Sequence, residues 1–158
     1  MTMRFLLLVS MLVLFGLATP AALAQGGVKN GPDAEMIRDP ELEKDSLHNL
    51  DVARLFFKLK KAYIAALRRC EEVIAGNPRF SKIDEVLFIA GESSLKLSEN
   101  KGKQAEKERK PEQLRDDART YLSQLVNDHP QSAFRQQAED DLKALGGPKP
   151  KTEEGSKP

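Results

Sequence analysis

Tryptophan is absent from this 158-residue chain, and aromatic residues make up only 6% of it. A core therefore has to be built from aliphatic side chains, which suits helices that pack through leucine, valine and alanine. The length is that of about one domain. Cysteine is almost absent too: Cys70 is the only one in the chain, which excludes an intramolecular disulfide.

An excess of charge of either sign is also missing. Arg4 is the only charged residue among the first 24, so removing that segment takes the basic count from 25 to 24, against 24 acidic residues. A neutral chain has no general attraction for nucleic acid or for an anionic membrane surface. Nucleic acid is therefore not an expected partner.

A long hydrophobic run occurs only near the N-terminus. Residues 5–18 form an apolar run of 14 residues, whereas a membrane-spanning helix needs about 20. The run follows Arg4 and precedes Ala22-Leu23-Ala24, which is the order of a secretory signal peptide. The sequence predicts a signal peptide over residues 1–24, cleaved after Ala24, and no spanning segment in the mature chain; an uncleaved anchor is the alternative. A lipoprotein signal requires a cysteine at the new N-terminus, and none lies near Ala24.

Composition divides the rest of the chain. Residues 25–38 and 146–158 combine glycine, proline and charge without an apolar period, so we expect a flexible leader and a disordered tail. The folded part is expected over residues 39–145. A charged insertion at about residues 98–111 is expected to be a solvated loop, and a binding loop for an acidic partner is the alternative.

Start signals and apolar spacing predict an all-α fold of about five helices. Asp39-Pro40 is typical of an N-cap followed by the first helical position, and Pro111 opens a later helix. Ser81 with Asp84 three residues on predicts a capping box, and Ser132 is the predicted cap of the last helix. No stretch alternates with a period of two for long enough to predict a strand.

Residues 40–75 leave two alternatives open. One uninterrupted helix would have 36 residues and a length of about 54 Å, against a usual 11 or 12 residues. We favour two helices with a turn near Leu59 to Lys61, although no glycine or proline enforces that turn. Seven residues recur at alternating intervals of four and three, which is compatible with one helix and even with a coiled-coil seam. They are Val52, Phe56, Leu59, Tyr63, Ala66, Cys70 and Val73.

An ungapped internal repeat relates residues 65–78, AALRRCEEVIAGNP, to residues 117–130, DARTYLSQLVNDHP, at an offset of 52. In each copy a small residue lets a neighbouring helix approach closely, apolar residues share one helical face, and a proline ends the helix. Helix, turn and helix, repeated, is the pattern of stacked helical hairpins. The residues that the internal repeat predicts to pack the repeats are Ala66, Cys70, Val73, Pro78, Ala90, Ala118, Leu122, Leu125 and Pro130.

Residue types that carry catalysis or bind metals form no constellation in the sequence. His48 and His129 are far apart, and neither has another ligand at metal-binding spacing. Cys70 takes the place of Leu122 in the second copy, so we favour packing over a reactive thiol. Adjacent acids diverge on a helix and are interpreted as solvated surface; these pairs are Glu71-Glu72, Asp116-Asp117 and Asp140-Asp141. We expect no catalytic residue, no cofactor and no metal site.

The order of small residue, apolar residues and closing proline resembles the second helix of a tetratricopeptide repeat. The resemblance adds Gly91 to the residues predicted to pack the repeats, because Gly91 stands where that repeat favours a small residue. More specifically, residues 48–97 and 118–145 resemble the BamD (YfiO-type) outer-membrane assembly lipoproteins. The resemblance implies antiparallel helical hairpins stacked as a short solenoid. It also implies a periplasmic scaffold of the β-barrel assembly machinery, with barrel precursors or assembly components as partners.

The leading prediction is a non-catalytic, exported protein-binding scaffold of the bacterial cell envelope. We expect it in the periplasm or at the periplasmic face of the outer membrane, with a protein or peptide partner held by the stacked hairpins. The alternative is a self-associating helical envelope spacer that uses the seam from Val52 to Val73.

Overall fold

The computed structural model describes residues 38–151. The predicted signal peptide over residues 1–24, the leader up to residue 37 and the tail from residue 152 lie outside the described residues. Within residues 38–151 the protein is all-α, which confirms the predicted fold class. The helices are α1 (Pro40–Arg54), α2 (Tyr63–Gly76), α3 (Ile83–Ser98), α4 (Pro111–Asp128) and α5 (Arg135–Ala144), and a π-helical segment (Leu55–Lys60) continues α1.

Local capping explains where α1 begins. The Asp39 carboxylate accepts hydrogen bonds from the N–H groups of Glu41 at 2.9 Å and Leu42 at 3.4 Å. Pro40 takes the first helical position, where its missing N–H costs no hydrogen bond. Pro111 takes the corresponding position in α4.

The predicted capping box at Ser81 does not form, because α3 begins at Ile83 without a side-chain cap. The N–H of Ser81 donates instead to the Glu43 carboxylate of α1 at 3.0 Å. In the second turn, the Ser132 hydroxyl donates to the Asp84 carboxylate of α3 at 2.7 Å. Each turn is therefore tied back to the first helix of the hairpin that precedes it.

Two helices, not one, occupy residues 40–76, and the chain breaks at Lys61. Lys61 adopts the left-handed conformation with φ 49°, which is unfavourable for a residue with a Cβ. The charged insertion stabilises this conformation of Lys61, because the N–H of Lys103 donates to the Lys61 carbonyl at 3.3 Å. Gly102, with φ 110°, lies so close to the Tyr63 ring that a Cβ would be 2.8 Å from its Cδ2 atom. A loop forty residues further on thus holds this turn.

Consecutive helices pack against each other, so the hairpins α1–α2 and α3–α4 stack and α5 follows them. Helix α3 is central because it packs against both α2 and α4. It is buried on nearly all sides, at Ile83, at Leu97 and at every position from 86 to 94.

The second half of the seam predicted for self-association lies inside the protein. Ala66, Cys70 and Val73 are at most 2% exposed, because α2 packs them into the core. The break at Lys61 also separates them from the residues of α1. A continuous seam from Val52 to Val73 is therefore not available to a second copy.

The prediction of a disordered tail from residue 146 is wrong for residues 146–151. Gly146 and Gly147 have φ values of 92° and 90°, and the chain then runs along α4. The Arg119 guanidinium donates to the Gly147 carbonyl at 2.6 Å, and the N–H of Lys149 donates to the Ser123 hydroxyl at 2.8 Å. Composition alone could not show these contacts.

Candidate functional site

The two proline turns have the same backbone geometry. The residue before each proline, Asn77 or His129, donates its N–H to the carbonyl four residues earlier, at 2.8 and 2.9 Å. Its own carbonyl accepts from the N–H three residues later, at 3.0 Å in both turns. The donors and acceptors of these backbone hydrogen bonds are 52 residues from their counterparts, so the internal repeat read from the sequence is also a repeat of backbone hydrogen bonds.

The residues predicted to pack the repeats fall into two groups. The two prolines, Pro78 and Pro130, lie exposed in the turns. The others are buried between the helices: Ala66, Cys70, Val73, Ala90, Gly91, Ala118, Leu122 and Leu125. Gly91 is the closest approach, because a Cβ there would lie 2.6 Å from the Leu122 side chain.

A groove of about 750 Å³ lies where the two turns come side by side, and we call it the turn groove. The two prolines form part of its walls, and Phe80, which is 2% exposed, lies at its base. Arg38 reaches across the first turn, where its Nε donates to the Arg79 carbonyl at 3.1 Å. The groove is thus a surface cleft with apolar and charged walls, built from the same element of both repeats.

Asn77 is a buried polar residue of the first turn that the sequence did not single out. Its side-chain amide donates to the Ser46 hydroxyl of α1 at 3.0 Å, and Ser46 donates to the Leu42 carbonyl at 2.7 Å. The amide fixes the first turn against α1. The only indication of this role in the sequence is the position of Asn77 before the turn proline, because its hydrogen-bond partner Ser46 lies 31 residues away.

Arg54 and Glu85 fix the position of α1 relative to α3. The Arg54 guanidinium donates to both carboxylate oxygens of Glu85, with a distance of 2.7 Å from Nε to Oε1. Arg54 also pairs with Asp51 of its own helix at 2.7 Å. Bidentate pairs of this kind set geometry as well as adding stability.

Cys70 lies in the core, 1% exposed, on the face of α2 predicted from the repeat. Burial, together with the charge of Glu71, raises the pKa of the Cys70 thiol well above its ordinary value. A thiol held in this form is a weak nucleophile. Within residues 38–151, no group of three histidine, cysteine, aspartate or glutamate side chains could hold a metal ion.

The adjacent acid pairs do diverge, but one member of each pair faces the protein, which corrects their interpretation as solvated surface. Glu71 accepts from Arg109 at 2.8 Å, and Asp117 lies 3.5 Å from the same guanidinium. Asp141 of α5 faces the buried Glu92 of α3. Sequence reasoning missed these inward members because their partners come from other elements.

Arg109 anchors the charged insertion to the hairpin stack. It pairs with Glu71 of α2 and Asp117 of α4, and Glu106 of the insertion lies 3.9 Å away. Tyr121 donates to the same Glu71 carboxylate at 3.3 Å, and burial followed by the charge of Glu71 raises the Tyr121 pKa. The insertion is thus a loop, over residues 99–110, that is bound to both hairpins.

Replacing Arg109 with glutamine is expected to loosen this loop while leaving the helices folded. Loss of charged hydrogen bonds at a site only 26% exposed costs about 1.5 kcal/mol. Trypsin cleavage at Lys103 and Lys107 should therefore be on the order of tenfold faster, because cleavage follows the population of the open loop. Arg68→Gln is the matched control, since the Arg68–Glu108 pair is exposed and 3.4 Å long. Equal cleavage rates in the two variants would contradict the anchoring role.

Comparisons of the chain with protein-family models, with curated proteins and with solved structures gave no match. The described residues define, as a class, a small all-α stack of helical hairpins. The resemblance to the BamD family rests on the sequence pattern and stays a prediction. No helix between residues 38 and 151 has the length and apolar character needed to cross a membrane.

Proposed function

We propose that the protein is a non-catalytic scaffold of the bacterial cell envelope that binds an extended polypeptide segment in the turn groove. The observation that carries the proposal is that this groove of about 750 Å³ is built from the equivalent turns of two stacked repeats. Stacked helical hairpins characteristically offer extended surfaces for polypeptide partners.

The walls of the groove suit a polypeptide ligand. Proline rings offer apolar contact, while Arg38, Asp84 and His129 supply donors and acceptors for peptide groups. The anchoring of the turns to α1 and α3 by Ser81 and Ser132 keeps this surface pre-formed, which lowers the cost of ordering on binding.

The envelope setting rests on the sequence. The predicted signal peptide supports export, and the resemblance to the BamD family supports a link to outer-membrane β-barrel assembly. We therefore propose that the partners are barrel precursors or assembly components, met in the periplasm or at the periplasmic face of the outer membrane.

Site-specific photocrosslinking tests the turn groove directly. A photoreactive phenylalanine analogue at Gln131, an exposed groove residue, should form adducts with outer-membrane barrel precursors or assembly components in living cells. Mass spectrometry of the adducts identifies the partner and its contacting segment. The expected yield is at least several-fold above that of the control position.

Gln136 is the matched control, because it is also an exposed glutamine, lies on α5 and does not line the groove. Equal adduct yields at the two positions would refute the groove as the binding site. Adducts confined to proteins outside the envelope would refute the proposed setting.

A further inference from the structure

Large exposed hydrophobic residues are concentrated on one element. Among the described residues they all lie on α1 and its π-helical continuation: Leu42 (41% exposed), Leu47 (39%), Leu55 (40%) and Leu59 (77%). Isolated exposed leucines are ordinary, whereas a concentration on a single helix indicates a surface that another molecule covers.

Three of these leucines share the outer side of the helix. Leu47, Leu55 and Leu59 are separated by eight and four residues, a spacing that places them along one row, with Asp51 between the first two. The opposite side carries the buried residues of α1, which are Ser46, Leu50 and Ala53. We call Leu47, Leu55 and Leu59 the leucine row.

Charge is separated along the same helix. Residues 40–50 carry Glu41, Glu43 and Asp45 against Lys44, a net charge of −2, and residues 51–61 carry Arg54, Lys58, Lys60 and Lys61 against Asp51, a net charge of +3. Two such helices placed side by side in the same direction would set like charges against each other. Placed in opposite directions, each acidic half meets the basic end of the other helix, and the two helix dipoles are also opposed favourably.

The other end of the described stack has no comparable surface. Helix α5 buries only Ala138 and Leu142, and its outer side is polar: Asp140 accepts from Lys143 at 2.7 Å and from Gln136 at 3.5 Å. Head-to-tail assembly needs complementary surfaces at both ends, whereas a two-fold dimer uses one surface twice. The leucine row therefore favours a closed dimer.

We propose that the leucine row binds the leucine row of a second copy of this chain, with the two α1 helices antiparallel. The two-fold axis passes near residues 51–53, so Leu47 of one copy lies beside Leu55 and Leu59 of the other. The dimer carries two turn grooves, which lets a single long polypeptide bind at two points and gain avidity. Of the residues of the seam predicted from the sequence, this interface uses only Leu59.

Cysteine pairing tests both the dimer and its direction. An antiparallel pair keeps each residue 47 roughly 12 Å or more from its own copy, and each residue 59 roughly 18 Å, too far for a disulfide. Leu47→Cys and Leu59→Cys protein should each stay uncrosslinked alone under mild oxidation, and their mixture should form a covalent heterodimer. Cys70 does not interfere because it is buried.

Sedimentation of the full chain gives the second readout. The wild type should be a dimer, and Leu59→Glu should raise the dimer dissociation constant about tenfold or more with an unchanged helical content by circular dichroism. Lys58→Glu should weaken the dimer, and adding Asp45→Lys should restore it. Gln136→Glu on α5 is the control and should have no effect.

Three results would overturn the proposal. Homodimeric crosslinks of each cysteine variant alone would show parallel helices. A wild-type monomer with Leu59 accessible to solvent labelling would show that nothing covers the row, and a monomer with Leu59 protected would show that another part of the same chain covers it. Photocrosslinking at Gln131 is measured separately, so failure of the dimer and failure of the turn groove are distinguishable.

Discussion

Replacing Gly91 with valine is expected to lower the free energy of unfolding by about 2 kcal/mol or more, which corresponds to roughly 10 °C in melting temperature. A Cβ at position 91 would lie 2.6 Å from both Cγ and Cδ2 of Leu122 and 3.5 Å from the Ala118 carbonyl oxygen. The Cγ atom is near the Leu122 backbone, so rotation of the side-chain end cannot relieve the clash. Helices α3 and α4 must separate, and both are central to the core.

Gly76→Val is the matched control for this substitution. Gly76 ends α2, and nothing lies within 4 Å of a Cβ placed there, so the change should be neutral or slightly stabilising because valine is a better helix former than glycine. Thermal unfolding of both variants measures the difference. If Gly91→Val is no more destabilising than Gly76→Val, the close approach does not limit the packing of α3 on α4.

Leu122→Ala supplies the second arm of the test. Alone it should cost about 2–5 kcal/mol because it leaves a cavity. Combined with Gly91→Val, it removes the atoms that the valine meets, so the double variant should be more stable than the sum of the two costs by about 1 kcal/mol or more. If the two costs in unfolding free energy add exactly, the cost of Gly91→Val does not come from its contact with Leu122.

Sequence reasoning was most informative for features that depend on residues close together within one helix. Asp39 and Pro40 mark the start of α1 through contacts within four residues. The internal repeat identified a buried face on α2 and α4 because a second copy in the same chain shows which positions stay small or apolar. Gly91 was predicted as a packing residue from the resemblance to the tetratricopeptide repeat, which favours a small residue there, and the structure supplies its partner, Leu122.

The features that sequence reasoning missed depend on residues far apart in the chain. The turn at Lys61 has no local turn residue because Lys103 and Gly102 of the insertion support it. Ser81 has the spacing of a capping box, yet its backbone N–H is already bound by Glu43. A pattern within a few residues cannot show such contacts, because the stabilising partner enters only when the hairpins stack.

Glu92 is a buried charged residue whose partners the sequence likewise could not show. It lies within the apolar run of α3 and is 3% exposed. Lys96, one turn later, is 3.2 Å from one of its oxygens. The other oxygen, and Oδ2 of Asp141 on α5, find no hydrogen-bond donor among residues 38–151. Two carboxyl groups placed together in this way are satisfied when Asp141 carries a proton and donates it to Glu92.

The proton on Asp141 makes stability depend on pH. Burial, followed by the hydrogen bond and the charge of Glu92, raises the pKa of Asp141 from 3.8 to about 7, against the opposing charge of Lys96. The folded protein therefore holds a proton that the unfolded chain releases above about pH 4. Since the folded state binds more protons, this pair lowers stability as the pH rises from about 4 to about 7, and its effect is constant above that range.

Asp141→Asn is expected to become more stable relative to the wild type as the pH rises from 5 to 8. The asparagine amide donates to Glu92 without needing a proton, so the variant loses the pH-dependent penalty. One proton gives at most about 1.4 kcal/mol per pH unit, and solvent screening at the partly exposed Asp141 reduces this. Chemical denaturation at pH 5, 6, 7 and 8 measures the difference in unfolding free energy between the two proteins.

Asp140→Asn is the control, because Asp140 is the exposed neighbour and its bond to Lys143 lowers its pKa below the ordinary value. Asp140 is thus ionised in both the folded and unfolded states between pH 5 and 8, so the stability difference between this variant and the wild type should be flat. Glu92→Gln should behave like Asp141→Asn, because either amide supplies the missing donor. A flat difference for both amide variants at the pair would show that the fold holds no proton there, and that α3 and α5 meet without the carboxyl contact.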